Sequence, residues 1–586
     1  MRPPLQRLAF AFGSPNFGTE SSNCFRSVNL AGLLTFGTLV MGGPPSKETK
    51  NCFIWGVNPA YSAPFSMKGL LKSKQAWVNF VHIDPRATPT VKALGGMHLT
   101  IRPGTDGALA LGMIQTIISE KLYDKDFVTK WVHGFEQLKG YVSQFTPERV
   151  STIAGIPAEQ IRAAARSFAD GPTALMISSA PIVHHTNGLQ NMRAVFSLVA
   201  LTGNFDRPGG VVAPPRPLLP PDFMGEPEFC FRKILLTDLK PKRADLKQYP
   251  VWADLIPEVQ MNRLPEYVEA GTIRAMVLFG GNAKIWPQPH LYQKALANMD
   301  FSMAVDYFYR PWTHNYVDVL LPAATCFERL GSPACFGRSV YQRQPIEPLG
   351  QAREDWQIIA DLGTALGLSK ELCNGNLEAF INELLKAAGT TVEELRNAPG
   401  SMIAKPPKEP PRFQKFAEGL LRKDGKPGFE TPTGKIELYS PILEKNGLDP
   451  LPVYAEPVES PVSKPDLAKK YPLVLMTGAR VPFYTHSKFR DIPWLSEFQP
   501  EPVVNLNAED AAARGIAEDD YVFIENDYGR IKVKAHVTKT VSRSVVDMFH
   551  GWADQDVNAL VPRHFDPISG FPPFKAGLCQ VRKETL

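Results

Sequence analysis

The chain has 586 residues, 44% of them hydrophobic and 21% charged, and a formal net charge of +5. That length holds several domains with sizeable cores, and so mild a positive balance favours anionic ligands without pointing to nucleic acid. Lysines and arginines are scattered, no RNA- or DNA-binding signature is present, and the longest apolar run, Val28 to Met41, is too short and too interrupted to span a membrane.

The chain opens on Met1 to Phe12, which has a signal-like flavour but a short apolar run and no small-residue cleavage site, so a signal peptide is not expected. Next comes Gly13-Ser-Pro-Asn-Phe-Gly-Thr-Glu-Ser-Ser-Asn-Cys24. Its glycines, Pro15 and Asn16 form loops, and Ser21, Ser22 and Asn23 are helix N-cap types. Apolar residues at Val28, Leu30, Ala31 and Leu34 predict a buried helix, which puts Cys24 at or just before its N-terminus. A helix N-terminus favours thiolate over thiol, and a thiolate is a nucleophile or a soft-metal ligand. The competing reading is a small buried apolar residue. The other six cysteines are Cys52, Cys230, Cys326, Cys335, Cys373 and Cys579. None forms a C-x-x-C pair, so no zinc ribbon or iron–sulfur ligand run is expected, and the odd, sparse set suggests reduced thiols.

The next segments are short apolar strands that break into loops. Cys52 to Trp55 runs into Gly-Val-Asn58-Pro, and Trp77 to Ile83 runs into Asp84-Pro-Arg86. Leu99-Thr-Ile-Arg-Pro-Gly104-Thr-Asp106 leads into a strong helix whose first turn carries Asp106. Thr173 to Ser179 is another strand, followed by Ala180-Pro-Ile-Val-His184-His185-Thr186-Asn187-Gly188 and a helix to Leu201. Neighbouring histidines diverge on a strand, so a structural or substrate-facing role is favoured over zinc.

Residues 211–265 read as a proline- and charge-rich surface excursion. The strand pattern then returns, with Arg274 to Phe279 breaking into Gly-Gly281-Asn282 and Phe301 to Val305 ending at Asp306. In both copies an acid follows the loop asparagine by roughly 25 residues, as in half of a doubly wound nucleotide fold. Neither copy has the full G-x-G-x-x-G fingerprint of an NAD site. Strand-terminal Asp and Gly are also common turn residues. Two matched copies point to two related ligands, or one elongated ligand, across the carboxyl ends of parallel strands.

Val317 to Arg329 reads as a strand with a pocket-like end, 354–400 as helices, and 401–465 as a proline-rich linker. From 466 the period changes to short strands, with Asn526-Asp-Tyr-Gly529 as a hairpin turn, and a compact β-barrel is predicted.

Together these stretches resemble the molybdopterin oxidoreductases of the dimethyl sulfoxide reductase superfamily. The matches are Gly-Val-Asn-Pro at 56–59, Ile-Asp-Pro-Arg at 83–86, Arg-Pro-Gly-Thr-Asp at 102–106 and Thr-Asn-Gly at 186–188. They continue through Leu-Thr-Gly-Asn at 201–204, Pro-Gly-Gly at 208–210, Leu-Pro-Ala-Ala-Thr at 321–325 and Thr-Pro-Thr-Gly-Lys-Ile-Glu at 431–437. Thr-Gly-Ala-Arg at 477–480, His486 and the run from Asn505 to Asp510 extend them into the barrel.

The resemblance implies an α/β fold of two pseudo-symmetric, doubly wound dinucleotide-binding domains plus a C-terminal β-barrel of the double-psi type. The implied divisions are 1–20 (a remnant of an N-terminal or second α/β domain), 21–215, 216–400, the linker 401–465 and the barrel 466–586. It implies molybdenum or tungsten on two pterin guanine dinucleotides. One lies against Asn58, Asp84 and Asp106, the other against Gly281, Asn282 and Asp306. Arg86, Gly104, Thr186, Asn187, Thr477, Gly478, Arg480, His486, Asn505 and Asn558 are the further cofactor-binding residues. Cys24 is the implied metal ligand, with Arg26 and His185 as its catalytic neighbours, and a soft thiolate suits so sulfur-rich a centre.

That places the chain with the thiolate-ligated branch of formate dehydrogenases, polysulfide and thiosulfate reductases and acetylene hydratase. Two departures follow. Relatives carry an N-terminal [4Fe–4S] domain whose ligands this chain lacks, so a fragment, a split gene or a misplaced start is expected, with an iron–sulfur electron-transfer partner encoded separately. Formate dehydrogenases also place a histidine directly after the metal ligand, where this chain has Phe25, which disfavours formate oxidation. The expected activity is two-electron redox or oxygen- or sulfur-atom transfer on a small molecule. The alternatives are non-redox hydration at the same cofactor, and a cofactor-free scaffold. The compartment is cytoplasmic by default, or periplasmic if a twin-arginine signal precedes the chain.

Overall fold

The computed structural model describes residues 2–40, 42–213, 238–330, 334–335, 338–340, 344, 346–386, 389–404, 412–478 and 481–584. Arg480, Cys230 and part of the 211–265 excursion lie outside them. The chain divides into two compact units, one of Met1–Thr19, Pro214–Ala283 and Leu291–Arg412, the other of Glu20–Ala213, Lys284–His290 and Phe413–Leu586.

In the second unit a four-stranded parallel sheet has the spatial order Met97–Leu99, Asn79–Ile83, Asn51–Trp55, Thr173–Ile177. Asn51–Trp55 is buried throughout, as an inner parallel strand covered on both faces must be. The order reverses beside it, because the chain moves outward to two neighbours on one side before returning to Thr173–Ile177 on the other. Ligands of doubly wound sheets bind in the crevice at such a reversal, at the carboxyl ends of the strands. Two apolar helices of this unit pack against each other. Asp106–Ser119 is apolar around most of its surface, and all of Gly188–Leu201 is buried.

The same unit contains a closed six-stranded barrel in the order Leu473–Thr477, Val545–Met548, Val503–Asn507, Gly529–Thr538, Tyr521–Asn526, Gly577–Lys583. Two of its pairings are parallel, Leu473–Thr477 with Val545–Met548 and Val503–Asn507 with Gly529–Thr538. Alternating residues fill the interior, among them Val504, Leu506, Val522, Ile524, Val546 and Val581. The predicted hairpin forms, with Asn526 opposite Gly529.

Two expectations change. His184 and His185 do not follow a strand: Ser179–Val183 is a short helix and His184 is its C-cap. Pro181, which has no N–H to donate, is compatible with that first turn. The 413–465 part of the expected linker folds into the second unit. Ile436–Glu437 pairs with Val132–His133, and Arg102 binds Glu456 through two hydrogen bonds of 2.6 and 2.9 Å. Its prolines serve as turn and helix-start residues, as Pro441 does.

The first unit holds a three-stranded parallel sheet in the order Ala275–Phe279, Phe301–Asp306, Val319–Pro322. Trp356, Ile359 and Phe380 form part of its core.

Candidate active site

Cys24 sits between a 3₁₀ turn, Glu20–Asn23, and the helix Arg26–Phe36, two residues before that helix starts. Its N–H donates to the Ser21 carbonyl at 3.3 Å. The thiol is partly exposed and free of any disulfide. The N-cap, Phe25, supplies no side-chain cap, and Arg26 lies with its guanidinium 5.2 Å from the centre of the Phe25 ring. Position at a helix start favours the thiolate form.

His184 fixes this turn. Its Nε2 donates to the Cys24 carbonyl at 3.1 Å. The ring lies against Phe571 and Phe574. Burial there, reinforced by the charge of Lys575, holds its pKa well below the ordinary value, so the imidazole is neutral.

His185 is 2% exposed. Nε2 donates to the Pro181 carbonyl at 2.9 Å, and Nδ1 is buried with no hydrogen-bond partner among the described residues. Burial lowers its pKa to about 4. Gly104, at φ +85°, faces it, and a Cβ there would come 3.4 Å from Nδ1 and 2.5 Å from Pro457. Only a glycine leaves that approach open.

Asp106 starts the helix beneath His185, its Oδ2 4.0 Å from Nε2. Trp55 Nε1 donates to Oδ1 at 2.7 Å. Burial, with the charge of Asp84 added, raises its pKa to about 6 against that hydrogen bond. Asp84 accepts from the Arg86 N–H at 2.9 Å and from its Nε at 3.2 Å. The same guanidinium reaches Asp547 on the barrel strand Val545–Met548, where Asn505 also donates at 3.3 Å.

On the barrel side, Lys575 Nζ donates to the Thr477 carbonyl, and its backbone N–H to the His184 carbonyl at 3.4 Å. Burial, with the nearby Arg86 charge, lowers its pKa to about 8. His486 Nδ1 and His550 Nε2 lie 2.6 Å apart. Gly478 has φ +80°, and a Cβ there would meet His550 Nδ1 at 3.0 Å and Lys575 Nζ at 3.1 Å.

The structure therefore brings Cys24, Gly104, Asp106, His185, Asp84, Arg86, Thr477, Gly478, His486 and Asn505 into one connected region. Four expected residues serve as local fasteners. Asn58 Oδ1 accepts from Thr90 Oγ1 at 2.7 Å, Thr186 Oγ1 accepts from the Val458 N–H, and Asn187 donates to the Val453 carbonyl. Asn558 donates to the Lys284 carbonyl at 2.9 Å, while its Oδ1 is buried with no hydrogen-bond partner among the described residues.

In the first unit, Gly281 and Asn282 follow Ala275–Phe279, and Asn282 Oδ1 accepts from Trp312 Nε1 at 3.0 Å. Asp306 pairs with Arg310 and lies 3.6 Å from His314 Nε2. Burial opposes its ionisation, yet His314 and Arg310 together hold its pKa below the usual value.

Sequence reasoning missed Asp547, His550, Lys575 and Arg490. Phe-His-Gly-Trp at 549–552, at the end of an apolar strand, is the one local signal that could have drawn attention to His550.

Comparison with known proteins gives the family. The family model for molybdopterin oxidoreductases matches residues 3–365, and that for the molybdopterin dinucleotide-binding domain matches residues 473–578. The chain belongs to the molybdopterin oxidoreductase family, and its barrel is a molybdopterin dinucleotide-binding domain.

It is 29% identical to acetylene hydratase of Syntrophotalea acetylenica, over 90% of this chain and 74% of that one. It is 28% identical to the assimilatory nitrate reductase catalytic subunit of Bacillus subtilis, over 91% and 74%. To formate dehydrogenase H of Escherichia coli it is 26% identical, over 92% and 73%. The solved structure of acetylene hydratase from Pelobacter acetylenicus superposes with a TM-score of 0.88, at 23% identity, covering all of this chain and 84% of that one, and so shares the fold.

Proposed function

We propose that this chain is the catalytic subunit of a molybdenum or tungsten enzyme carrying two pterin guanine dinucleotides, with Cys24 as the protein's metal ligand. The observation that carries the reading is the placement of Cys24, a partly exposed thiol at a helix start whose carbonyl is pinned by a buried, neutral histidine.

The residues suit such a group. Cys24 offers a soft donor. The pterins of such a cofactor would supply the remaining donors. The orphaned Nδ1 of His185 and the approaches kept open by Gly104 and Gly478 suit a polar, close-fitting ligand. The bound group supplies a metal that changes oxidation state by two electrons.

The chain's own residues orient and exclude. His184 fixes the Cys24 turn, and Phe571 and Phe574 pack against the His184 ring. Because its Nε2 donates to Pro181, His185 presents Nδ1 as a hydrogen-bond acceptor. Arg86, between Asp84 and Asp547, holds the sheet loop to the barrel.

The activity this supports is two-electron oxidation or reduction of a small molecule, with oxygen- or sulfur-atom transfer. Electrons would pass to a separate iron–sulfur subunit, an arrangement supported by relatives that are alpha subunits of formate dehydrogenases. Phe25 beside Cys24, together with the similarity to acetylene hydratase, favours hydration as the second reading. Anaerobically purified protein should contain molybdenum or tungsten with about two guanines per metal, one for each dinucleotide of such a cofactor. Full activity without metal or pterin would overturn the proposal. Turnover with no external electron acceptor would select hydration.

A further inference from the structure

The helix Met67–Gln75 of the second unit closes on a Schellman turn. The Trp77 N–H donates to the Lys74 carbonyl at 3.1 Å, and the Val78 N–H to the Ser73 carbonyl at 3.1 Å. The left-handed position of such a turn is usually glycine, because a Cβ is crowded there. Here it is Trp77, at φ +66°. Its side chain gains no packing in exchange, since Trp77 is 92% exposed. One position thus combines a strained backbone with a large apolar ring in water. Neither helps the chain to fold, and strain of this kind points to a use outside folding.

The surroundings have a matching character. Phe65, two residues before the helix, is 86% exposed, and Leu71 within it is 41% exposed. Lys68, Lys72 and Lys74 are exposed on the same helix, and Lys92 on the helix Pro89–Leu94. Lys74 Nζ donates to the Ala93 carbonyl at 2.9 Å, which brings the two helices' lysines together. None of the four forms an ion pair among the described residues. No Asp or Glu occurs from Thr49 to Ile83, so the face is cationic as well as aromatic. Trp77 precedes the strand Asn79–Ile83, which puts the indole at the amino end of that strand, opposite the carboxyl-end crevice where such a sheet binds its ligand.

We propose that this face, Phe65 to Trp77 with Lys92, docks the protein peripherally on an anionic lipid bilayer. The aromatic rings enter the headgroup layer, and the lysines meet lipid phosphates. Charge complementarity selects an anionic partner, and the projecting rings select lipid. A protein would need a pocket shaped to Trp77, whereas a headgroup layer admits an indole without one. Lysine stems can lie along the apolar boundary while their ammonium groups stay among the headgroups. The hold is reversible, because a few side chains bind far more weakly than a spanning helix. No helix among the described residues is long and apolar enough to cross a membrane. The site uses neither the metal nor the pterins, so it stands or falls apart from the functional reading above.

The test is co-sedimentation of the purified protein with vesicles of equal parts phosphatidylcholine and phosphatidylglycerol, and with vesicles of phosphatidylcholine alone. The wild type should bind the mixed vesicles at low salt, bind the neutral ones at least about tenfold more weakly, and be released as salt rises. Trp77→Gly should bind the mixed vesicles about tenfold more weakly than wild type, the scale of losing one interfacial anchor. Its urea midpoint should equal or exceed that of the wild type, since glycine relieves the left-handed strain. A structural role for the indole would lower that midpoint instead. Lys68→Gln combined with Lys72→Gln should weaken binding by about tenfold or more and reduce its dependence on salt. Failure of the wild type to bind the mixed vesicles would overturn the proposal, as would equal binding by Trp77→Gly or equal binding to the neutral vesicles. Binding of poly-L-glutamate but not of vesicles, lost in Trp77→Gly, would also overturn it and give the face to an acidic protein.

Discussion

Arg86 and Asp547, 461 positions apart, form an ion pair of 3.3 Å that joins the end of the sheet strand Asn79–Ile83 to the barrel strand Val545–Met548. The same guanidinium holds Asp84, so one cation separates two buried carboxylates. Removing it leaves Asp84 the backbone N–H of residue 86 and Asp547 the Asn505 amide, neither of which supplies a counter-charge. Arg86→Met should therefore cost about 3–5 kcal/mol, the range for a broken buried pair. Chemical denaturation of the purified protein measures this, and a loss below about 1 kcal/mol would mean that water reaches the carboxylates and screens them.

Gly478 links the barrel to the basic cluster. Its φ of +80° is strained for any residue with a Cβ, and that Cβ would press on His550 and Lys575. Gly478→Ala should cost about 1–2 kcal/mol from backbone strain and reduce guanine content to less than half of wild type. Quantifying released guanine nucleotide in matched preparations tests it, and unchanged content would show that the space above Gly478 is not used by the cofactor.

Asp106 gives a pH signature. Its pKa in the fold, about 6, lies above its ordinary value of 3.8. The folded state thus binds this proton more tightly than the unfolded chain. The resulting stabilisation is complete below the unfolded value and is lost as pH rises through about 6. Over that window the wild type should lose up to about 3 kcal/mol relative to Asp106→Asn. Urea midpoints of both cofactor-free proteins, measured across the window, would run parallel if Trp55 and solvent already satisfied the carboxylate.

Much of this arrangement is legible in the sequence because its signals are local. Asp84 and Asp106 end a strand and begin a helix, Cys24 precedes a periodic apolar stretch, and Asn526 to Gly529 encodes a two-residue turn. Each rests on neighbouring residues whose turn or capping chemistry is intrinsic. Apart from Phe-His-Gly-Trp at 549–552, the Arg490, His550 and Lys575 cluster carries no such mark. Those residues come from three separate segments, and only the closure of the barrel brings them together. The histidines at 184 and 185 read as strand residues in the sequence because Thr173–Ile177 precedes them, although Pro181 is compatible with a helical turn. Proline density between 401 and 465 suggested a linker for a related reason. Prolines mark turns in folded chains as readily as in loose ones, and here Glu456 fastens the stretch to Arg102.

The central claim is that Cys24 is the metal's protein ligand. X-ray absorption at the molybdenum or tungsten edge, comparing wild type with Cys24→Ser at equal guanine content, tests it most directly. The variant should show one sulfur scatterer fewer, a new oxygen scatterer in its place, and a fall in turnover of at least about a hundredfold, the scale of losing a group that acts at the reacting centre. Identical sulfur shells in the two proteins would contradict it.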